Sequence, residues 1–213
     1  MRDSGSAWRM VAEQIRARGV TDERVLEALI RVPREAFVPG TLRDEAHADH
    51  PLAIGHGQTI SQPYIVGYMT EALRLEPSHR VLEIGTGCGY QTAVLAELTA
   101  EVFSVELIPD LADRARRTLD QLRYPNVRIR AGDGYEGWAE YAPYDRVLGA
   151  AAAAAVPAPL VEQLVDGGIL VMPIGSAYQE LRVLKKRGAE METLATLPVR
   201  FVPMIRSDGA AGH

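Results

Sequence analysis

The stretch RVLEIGTGCG, residues 80–89, contains an apolar run followed by three glycines at alternate positions. Glycines directly after a strand permit a tight turn and let a ligand approach the backbone. A dinucleotide fingerprint needs its third glycine at position 90, where this chain has Tyr90. The spacing of Gly85, Gly87 and Gly89 therefore favours a nucleoside cofactor without a pyrophosphate, such as S-adenosylmethionine, over a nicotinamide or flavin.

The chain beyond this stretch alternates short apolar runs with amphipathic segments. Such alternation requires crossover connections and a parallel sheet that is covered on both faces. Two final β-rich runs, Glu180 to Lys185 and Ala195 to Val202, have no helix between them and predict an antiparallel finish. The sequence predicts an α/β, Rossmann-like fold with a mostly parallel central sheet. The predicted strands are 80–84, 101–106, 127–130, 144–149 and 168–173, and the predicted helices are 88–98, 109–122 and 157–164.

The residues before the glycine stretch predict helices at both ends of a long connection. Apolar residues recur at helical spacing within 6–32, where Thr21 is the expected cap of the second helix. Residues 33–59 are rich in Pro, Gly, Asp and His and predict an irregular connection, which at this length is often functional. Ser61 is the expected N-cap of a helix over 62–75.

Composition limits the class of protein. The chain has 213 residues, 47% of them hydrophobic, and a formal net charge of −5, so we expect one globular domain that does not bind nucleic acid. No apolar run approaches the roughly 20 residues that cross a bilayer, and no signal peptide is evident, so we expect a cytoplasmic protein without membrane contact. A single cysteine, Cys88, excludes a disulfide and a multi-cysteine zinc site, and we expect no metal. The expected division of residues 1–213 is a helical and active-site segment 1–75, a cofactor-binding core 80–203 and a flexible tail 207–213, with Trp8 and Trp138 as packing residues.

Three polar or small-residue features follow the predicted strands. Glu106 ends the second strand 21 residues after Gly85, where a carboxylate can accept hydrogen bonds from both ribose hydroxyls. Asp133 follows the third strand and could accept from an adenine amino group, although Asp-Gly is equally suited to an ordinary turn. The alanine run 150–155 follows the fourth strand and is either a simple connection or a slim loop on which a ligand lies. Together these features predict a ligand site at one edge of the sheet.

A second polar group lies outside the predicted sheet, in IGHGQTISQP at residues 54–63. Ser61 could cap a helix there, or it could present a hydrogen-bond donor to an anionic substrate near the positive end of the helix. A covalent serine mechanism would need an activating base, and His56, between two glycines, has no evident orienting partner. We therefore expect Ser61 to position a substrate and not to act as a nucleophile.

Several motifs resemble those of the protein-L-isoaspartate O-methyltransferase family. The segment AIGHGQTISQPYIV at residues 53–66 is highly specific to that family, whereas VLEIGTGCGYQTAVLA at 81–96 is shared by many methyltransferases. The resemblance extends from about Val11 to Pro203. Its other motifs are RVPREAFVP at 31–39, AGDG at 131–134, PYDRVLGAAA at 143–152 and FVP at 201–203.

The resemblance implies an S-adenosylmethionine-dependent methyltransferase fold and a defined activity. The implied enzyme methylates the free carboxyl of L-isoaspartyl residues in damaged proteins and peptides, forms S-adenosylhomocysteine, and starts repair through a succinimide. It also implies that Ser61 is the active-site residue and that isoaspartyl-containing chains are the partners. We expect the protein to be a monomer. The cofactor-binding residues that it implies are Ile54, Gly55, His56 and Gly57, which close over the cofactor, together with Glu83, Gly85, Thr86, Gly87, Glu106, Leu107, Asp133 and Gly134.

The chemistry of this reaction agrees with the residues present. A carboxylate acceptor, with an ordinary pKa near 4, is ionised at neutral pH, so its methylation needs no general base. Two alternatives remain open in the sequence: methylation of one aspartate in a dedicated peptide, and an inactive module that keeps only the nucleoside pocket.

Overall fold

The structure, a computed structural model, describes residues 4–207 and is organised around one seven-stranded sheet. A separate two-stranded hairpin precedes this sheet. The strands are β1 (Leu52–Gly55) and β2 (Gln58–Ile60) in the hairpin, and β3 (Arg80–Ile84), β4 (Glu101–Glu106), β5 (Val127–Ala131), β6 (Tyr144–Gly149), β7 (Leu164–Gly175), β8 (Gln179–Arg187) and β9 (Glu190–Val199) in the sheet.

The order of the large sheet is β5-β4-β3-β6-β7-β8-β9. Strands β3 to β7 are parallel to one another, and β8 and β9 are antiparallel. The predicted α/β class and antiparallel finish are confirmed. Because the chain moves outward from β3 to β5 and then returns to place β6 on the other side, the strand order reverses beside β3. In open α/β sheets, ligands bind at the carboxyl ends of the strands at such a point.

The helices cover both faces of the sheet because successive side chains of a strand point to opposite faces. In β3, Leu82 packs with the cluster around Phe103, while Val81 packs with Leu95 of α4 on the other face. A continuous apolar run can therefore bury both of its sides. The helices are α1 (Ser4–Met10), α2 (Glu23–Arg31), α3 (Pro63–Ala72), α4 (Tyr90–Ala96), α5 (Pro109–Gln121) and α6 (Ala158–Glu162).

Two predictions about the N-terminal helices are wrong. Asp22, not Thr21, caps α2, because its carboxylate accepts from the Arg24 N–H while the Thr21 N–H donates to Glu71 of α3. Trp8 is not a packing residue: it is 59% exposed, because it lies beside Ala7 on α1 and points away from the buried face. Trp138, by contrast, is buried in the cluster around Phe103, as predicted.

The long connection before α3 is more regular than predicted. It contains two 3₁₀ turns, Arg34–Ala36 and Gly40–Glu45, and then the β1–β2 hairpin. The hairpin turn is tight because Gly55, His56 and Gly57 all have positive φ angles. The flanking glycines were the signal for such a turn, since two of the three positions accept this conformation without strain.

Ser61 is not the N-cap of α3. Gln62 occupies that position, without a side-chain cap hydrogen bond, and Pro63 is the first helical residue. A residue that precedes proline is driven to extended backbone angles, so the helix cannot begin earlier. The Ser61 hydroxyl is consequently not used to cap the helix.

Two further expectations concern membrane spans and the C-terminal tail. Within residues 4–207, no helix is both long and apolar enough to cross a membrane. The predicted tail lies outside the described residues from position 208 onward, whereas the Ser207 N–H donates to the Asp133 carboxylate.

Candidate active site

The glycine loop between β3 and α4 lines a cavity at the carboxyl edge of the sheet. Gly85 has a φ of +91°, and a Cβ there would already touch Ala150 at 3.5 Å. Gly89 also has a φ of +91°, and a Cβ there would lie 3.2 Å from the side chains of Ala115 and Leu119 on α5. Both positions thus combine a left-handed backbone with close neighbours, which is why glycine is required there.

Glu106 ends β4 next to this loop, and its carboxylate is buried. One oxygen accepts from the Gly87 N–H at 2.8 Å, and the other accepts from the Ile108 N–H at 3.0 Å. An ionised carboxylate offers about four acceptor positions, so Glu106 can hold the loop and still accept from two further hydroxyls. Its position at the cavity wall fits the ribose of a nucleoside.

The cavity brings together a little over half of the residues expected to form the site. Those that line it are Ser61, Gly85, Thr86, Gly87, Glu106, Leu107 and Gly134. Six other expected residues lie behind or beside it, namely Ile54, Gly55, His56, Gly57, Glu83 and Asp133.

The hairpin turn packs on the outer side of the glycine loop. A Cβ on Gly87 would lie 3.3 Å from the Ile54 side chain, and the Ile54 carbonyl accepts from Arg114 of α5 at 3.1 Å. The His56 ring nitrogen Nε2 lies 2.8 Å from the Asp110 carboxylate at the start of α5. The expectation that His56 lacks an orienting partner is therefore wrong. The partner was not evident from the sequence because Asp110 lies 54 positions further along the chain.

Glu83 lies beneath the loop, on the face of β3 that packs against α4. Its carboxylate accepts from the hydroxyls of Thr92 at 2.5 Å and Ser104 at 2.6 Å. Ser104 uses its one proton in this bond, so the Thr86 hydroxyl of the loop donates to Ser104 at 2.6 Å. Burial raises the pKa of Glu83 to about 7 against these hydrogen bonds. The residue anchors the glycine loop to the sheet.

Asp133 does not line the cavity, and each of its carboxylate oxygens accepts from a backbone N–H. One carboxylate oxygen accepts from the Tyr135 N–H at 2.9 Å and the other from the Ser207 N–H at 3.0 Å. The neighbouring Gly134 lies flat against β3, since a Cβ there would collide with the Ile84 side chain. Glycine is therefore required at position 134, where the backbone packs directly on Ile84 and both residues form part of the cavity wall.

Several cavity residues were not predicted individually. Ala150 and Ala151 of the alanine run line the cavity, while Ala152 and Ala153 form bridges to Pro203 and Ile174. The run therefore contributes two of its six residues to the cavity wall and two to bridges with other segments. Other lining residues come from β2, α4 and the C-terminal segment, namely Gln58, Thr59, Ile60, Gln91, Val202, Pro203, Met204 and Ile205.

Gln91 lines the cavity, and its contact with Thr70 defines the orientation of its amide. Its amide nitrogen donates to the Thr70 hydroxyl at 2.9 Å, and that hydroxyl donates its only proton to the Val66 carbonyl at 2.7 Å. The Gln91 group that faces Thr70 must therefore be the NH₂, which directs the amide oxygen elsewhere. That oxygen has no hydrogen bond within residues 4–207, so it can accept from a ligand cation.

Ser61 stands between β2 and α3 at the opposite wall of the cavity. Its backbone carbonyl accepts from Arg34 at 2.7 Å, whereas its hydroxyl makes no hydrogen bond within the described part of the chain. A second groove, lined in part by Thr59, Gln62 and Phe201, meets the cavity at Ser61 and opens to solvent. The hydroxyl can thus donate to a group that arrives through this groove.

Known proteins are similar to this chain in sequence. The family model of protein-L-isoaspartate(D-aspartate) O-methyltransferase matches residues 6–209. A protein-L-isoaspartate O-methyltransferase of Picosynechococcus is 57% identical over 196 residues, covering 92% of this chain and 88% of the relative. Its counterpart in Gloeobacter violaceus is 51% identical over 199 residues, covering 92% and 97%.

Two solved structures show the same fold. One protein-L-isoaspartate O-methyltransferase has a TM-score of 0.86 and 28% identity, covering 98% of this chain and 67% of its own. A Plasmodium falciparum structure, described as a putative enzyme of that name in complex with S-adenosyl-L-homocysteine, has a TM-score of 0.78 and 23% identity, covering 93% and 97%. The chain belongs to the protein-L-isoaspartate(D-aspartate) O-methyltransferase family.

Proposed function

We propose that this chain transfers a methyl group from S-adenosylmethionine to the free carboxyl of L-isoaspartyl residues in proteins and peptides. One observation carries the proposal: Glu106 and Ser61 line a single cavity at the carboxyl edge of the sheet, and a solvent-open groove meets it at Ser61. The cavity suits a nucleoside, and the groove suits a peptide chain that brings a carboxylate.

The residues present fit the cofactor. Glu106 has acceptor positions left for the ribose hydroxyls, and the cavity wall at Gly134 and Ile84 offers a flat backbone and an apolar side chain for the adenine ring. The unpaired amide oxygen of Gln91, on the other side of the glycine loop, suits the ammonium group of the methionine portion. When bound, S-adenosylmethionine supplies the electrophilic methyl group.

The protein residues have the task of placing the acceptor. The carboxylate arrives ionised, so no side chain has to remove a proton. Ser61 donates a hydrogen bond to one carboxylate oxygen and turns the other toward the cofactor. This orientation of the acceptor lowers the barrier to methyl transfer. Activation of Ser61 as a nucleophile has no support, because His56 lies at the hairpin turn with Asp110 and does not line the cavity.

We propose that the protein acts as a monomer in the cytoplasm, and that its partners are isoaspartyl-containing chains and not nucleic acid. The net charge of −5 supports the last point, because phosphate binding needs clustered positive charge.

Paired peptides test this function. Two peptides of one sequence, with L-isoaspartate or L-aspartate at one position, are incubated with the enzyme and methyl-labelled cofactor. We expect a base-labile methyl ester on the isoaspartyl peptide and none on the aspartyl peptide. Methylation of the aspartyl peptide alone would refute the proposal and favour an enzyme for a dedicated peptide. Binding of S-adenosylhomocysteine without transfer to either peptide would indicate an inactive module.

A further inference from the structure

The motif RVPREAFVP contains a charged residue that the proposed mechanism does not use. Arg34 lies in the 3₁₀ turn Arg34–Ala36 and is 0% exposed. Its Nε donates to the Ala46 carbonyl at 2.7 Å, and Nη2 donates to the Ser61 carbonyl at 2.7 Å. The remaining nitrogen, Nη1, has no hydrogen-bond partner among the described residues.

No carboxylate compensates this buried cation within residues 4–207. The adjacent Glu35 instead lies 3.7 Å from His47. The guanidinium stacks on the ring of Tyr90, with 4.7 Å between the guanidinium carbon and the ring centroid. An arginine remains protonated even when burial disfavours the charge, so a full positive charge stands here. Burying an unpaired charge costs stability, and two carbonyls and one ring compensate it only in part.

The contacts of Arg34 connect both halves of the site. Ser61 and Tyr90 line the same cavity, and Tyr90 begins α4 directly after the glycine loop. Arg34 therefore touches the backbone of the residue that positions the acceptor and the first helical residue behind the cofactor loop. In surroundings with little water, its charge acts on the cavity with little screening.

We propose that Arg34 is a positioning residue of the methyl transfer: it holds Ser61 from behind and provides the positive charge that attracts the acceptor carboxylate. This inference rests on the proposed function. The charge favours an anion at the acceptor position and disfavours the sulfonium of the cofactor. Removing the charge should weaken binding of the acceptor carboxylate and strengthen binding of the sulfonium. A general loss of structure would weaken the binding of both.

Arg34→Met and Arg34→Lys test this role, with Arg146→Met as a matched control. Arg146 is also partly buried and donates to three backbone carbonyls, those of Leu73, Arg74 and Asp145, but it lies near the amino end of β6, away from the cavity. Its substitution should lower thermal stability without changing either ligand preference. The readouts are kcat and KM for an isoaspartyl peptide, and the Kd values of S-adenosylmethionine and S-adenosylhomocysteine.

For Arg34→Met, we expect the peptide KM to rise about tenfold or more, because a neutral side chain no longer attracts the carboxylate. The cationic S-adenosylmethionine should gain about 3- to 10-fold in affinity relative to the neutral S-adenosylhomocysteine. An affinity ratio equal to that of the wild type, with a loss of kcat/KM no larger than in Arg146→Met, would show that Arg34 is only structural.

Arg34→Lys tests the two parts of the role separately and remains informative if Arg34→Met does not fold. At about pH 5, the ammonium keeps the charge although burial lowers the pKa of a lysine, but it lacks the planar fork that reaches both carbonyls. We expect a peptide KM within about threefold of the wild type and a kcat about tenfold lower. A raised KM with unchanged kcat would contradict the proposal. A wild type inactive on isoaspartyl peptides would refute the proposed function alone, because the affinity ratio needs no acceptor.

Discussion

The two halves of the site are built differently. The cofactor half, consisting of residues 85–89 and Glu106, sits on two adjacent parallel strands and is fixed by short hydrogen bonds to buried carboxylates. The acceptor half, Gln58 to Ser61, belongs to a short hairpin and a connection outside the large sheet. The comparison teaches that the sheet fixes where the cofactor lies, whereas contacts between distant segments fix where the acceptor is received. Substitutions in one half should therefore leave the ligand of the other half nearly unaffected.

Ser61→Ala should have the largest effect, and only on the acceptor half. Loss of a donor aimed at the reacting carboxylate should lower kcat/KM for an isoaspartyl peptide about 100-fold. The Kd of S-adenosylhomocysteine should change less than about twofold, since the Ser61 hydroxyl supports no other residue within 4–207. Steady-state kinetics and calorimetry check both values. Equal losses in both would show that the halves are not separable.

Glu106→Ala should act on the cofactor half. Removing the carboxylate leaves the Gly87 and Ile108 N–H groups without partners and removes the acceptor for the ribose. We expect the Kd of S-adenosylhomocysteine to rise about 30-fold. Glu106→Gln, which keeps one acceptor oxygen, should be intermediate. At saturating cofactor, the peptide KM should be nearly unchanged, and a large increase would contradict the division.

Glu83→Gln should change stability with pH while leaving ligand preference alone. Burial raises the pKa of Glu83 from its ordinary value of 4.5 to about 7, so the folded state holds this proton more tightly than the unfolded state. Stability from this group is complete below about pH 4.5 and is lost as pH rises to about 7, by about 3 kcal/mol. The difference in the free energy of unfolding, variant minus wild type, should therefore increase by about 3 kcal/mol between pH 5 and pH 8. Urea titrations at the two pH values measure this difference.

The smallest effect is expected for His56→Ala, which removes the exposed contact between the hairpin and α5. His56 is 44% exposed on its side chain, and Asp110 is 56% exposed, so solvent screens this pair. We expect kcat/KM to fall less than about threefold, with Asp110→Ala giving a similar value and the double variant no more. A loss as large as that of Ser61→Ala would mean that this contact holds the acceptor half in place.

The strands at the centre of the sheet could be predicted closely from sequence. The bounds of 80–84, 101–106 and 144–149 agree with β3, β4 and β6, because a buried parallel strand is a contiguous apolar run. The hairpin could not be predicted in the same way. It has only a few residues per strand, and its apolar side chains have no sustained periodicity.

The residues of the candidate site also differ in how far they could be predicted from the sequence. Glu106 and the glycines follow from position, since strand ends in a parallel sheet meet at one edge. Glu83 was expected in the same site, but it shares a strand face with Val81 and therefore points toward α4. Alternation along the strand was the available signal, although deciding which face carries the helix required the assembled structure.

The α/β class, the glycine loop and the carboxylate beside it can be inferred from the amino-acid sequence, because each depends on residues that are close in the chain. The surroundings of Ser61 and His56 become known only from the folded protein. Arg34 reaches Ser61 across 27 positions, and Asp110 meets His56 across 54. Such contacts depend on how separate segments pack together, and local propensity and spacing do not specify that packing.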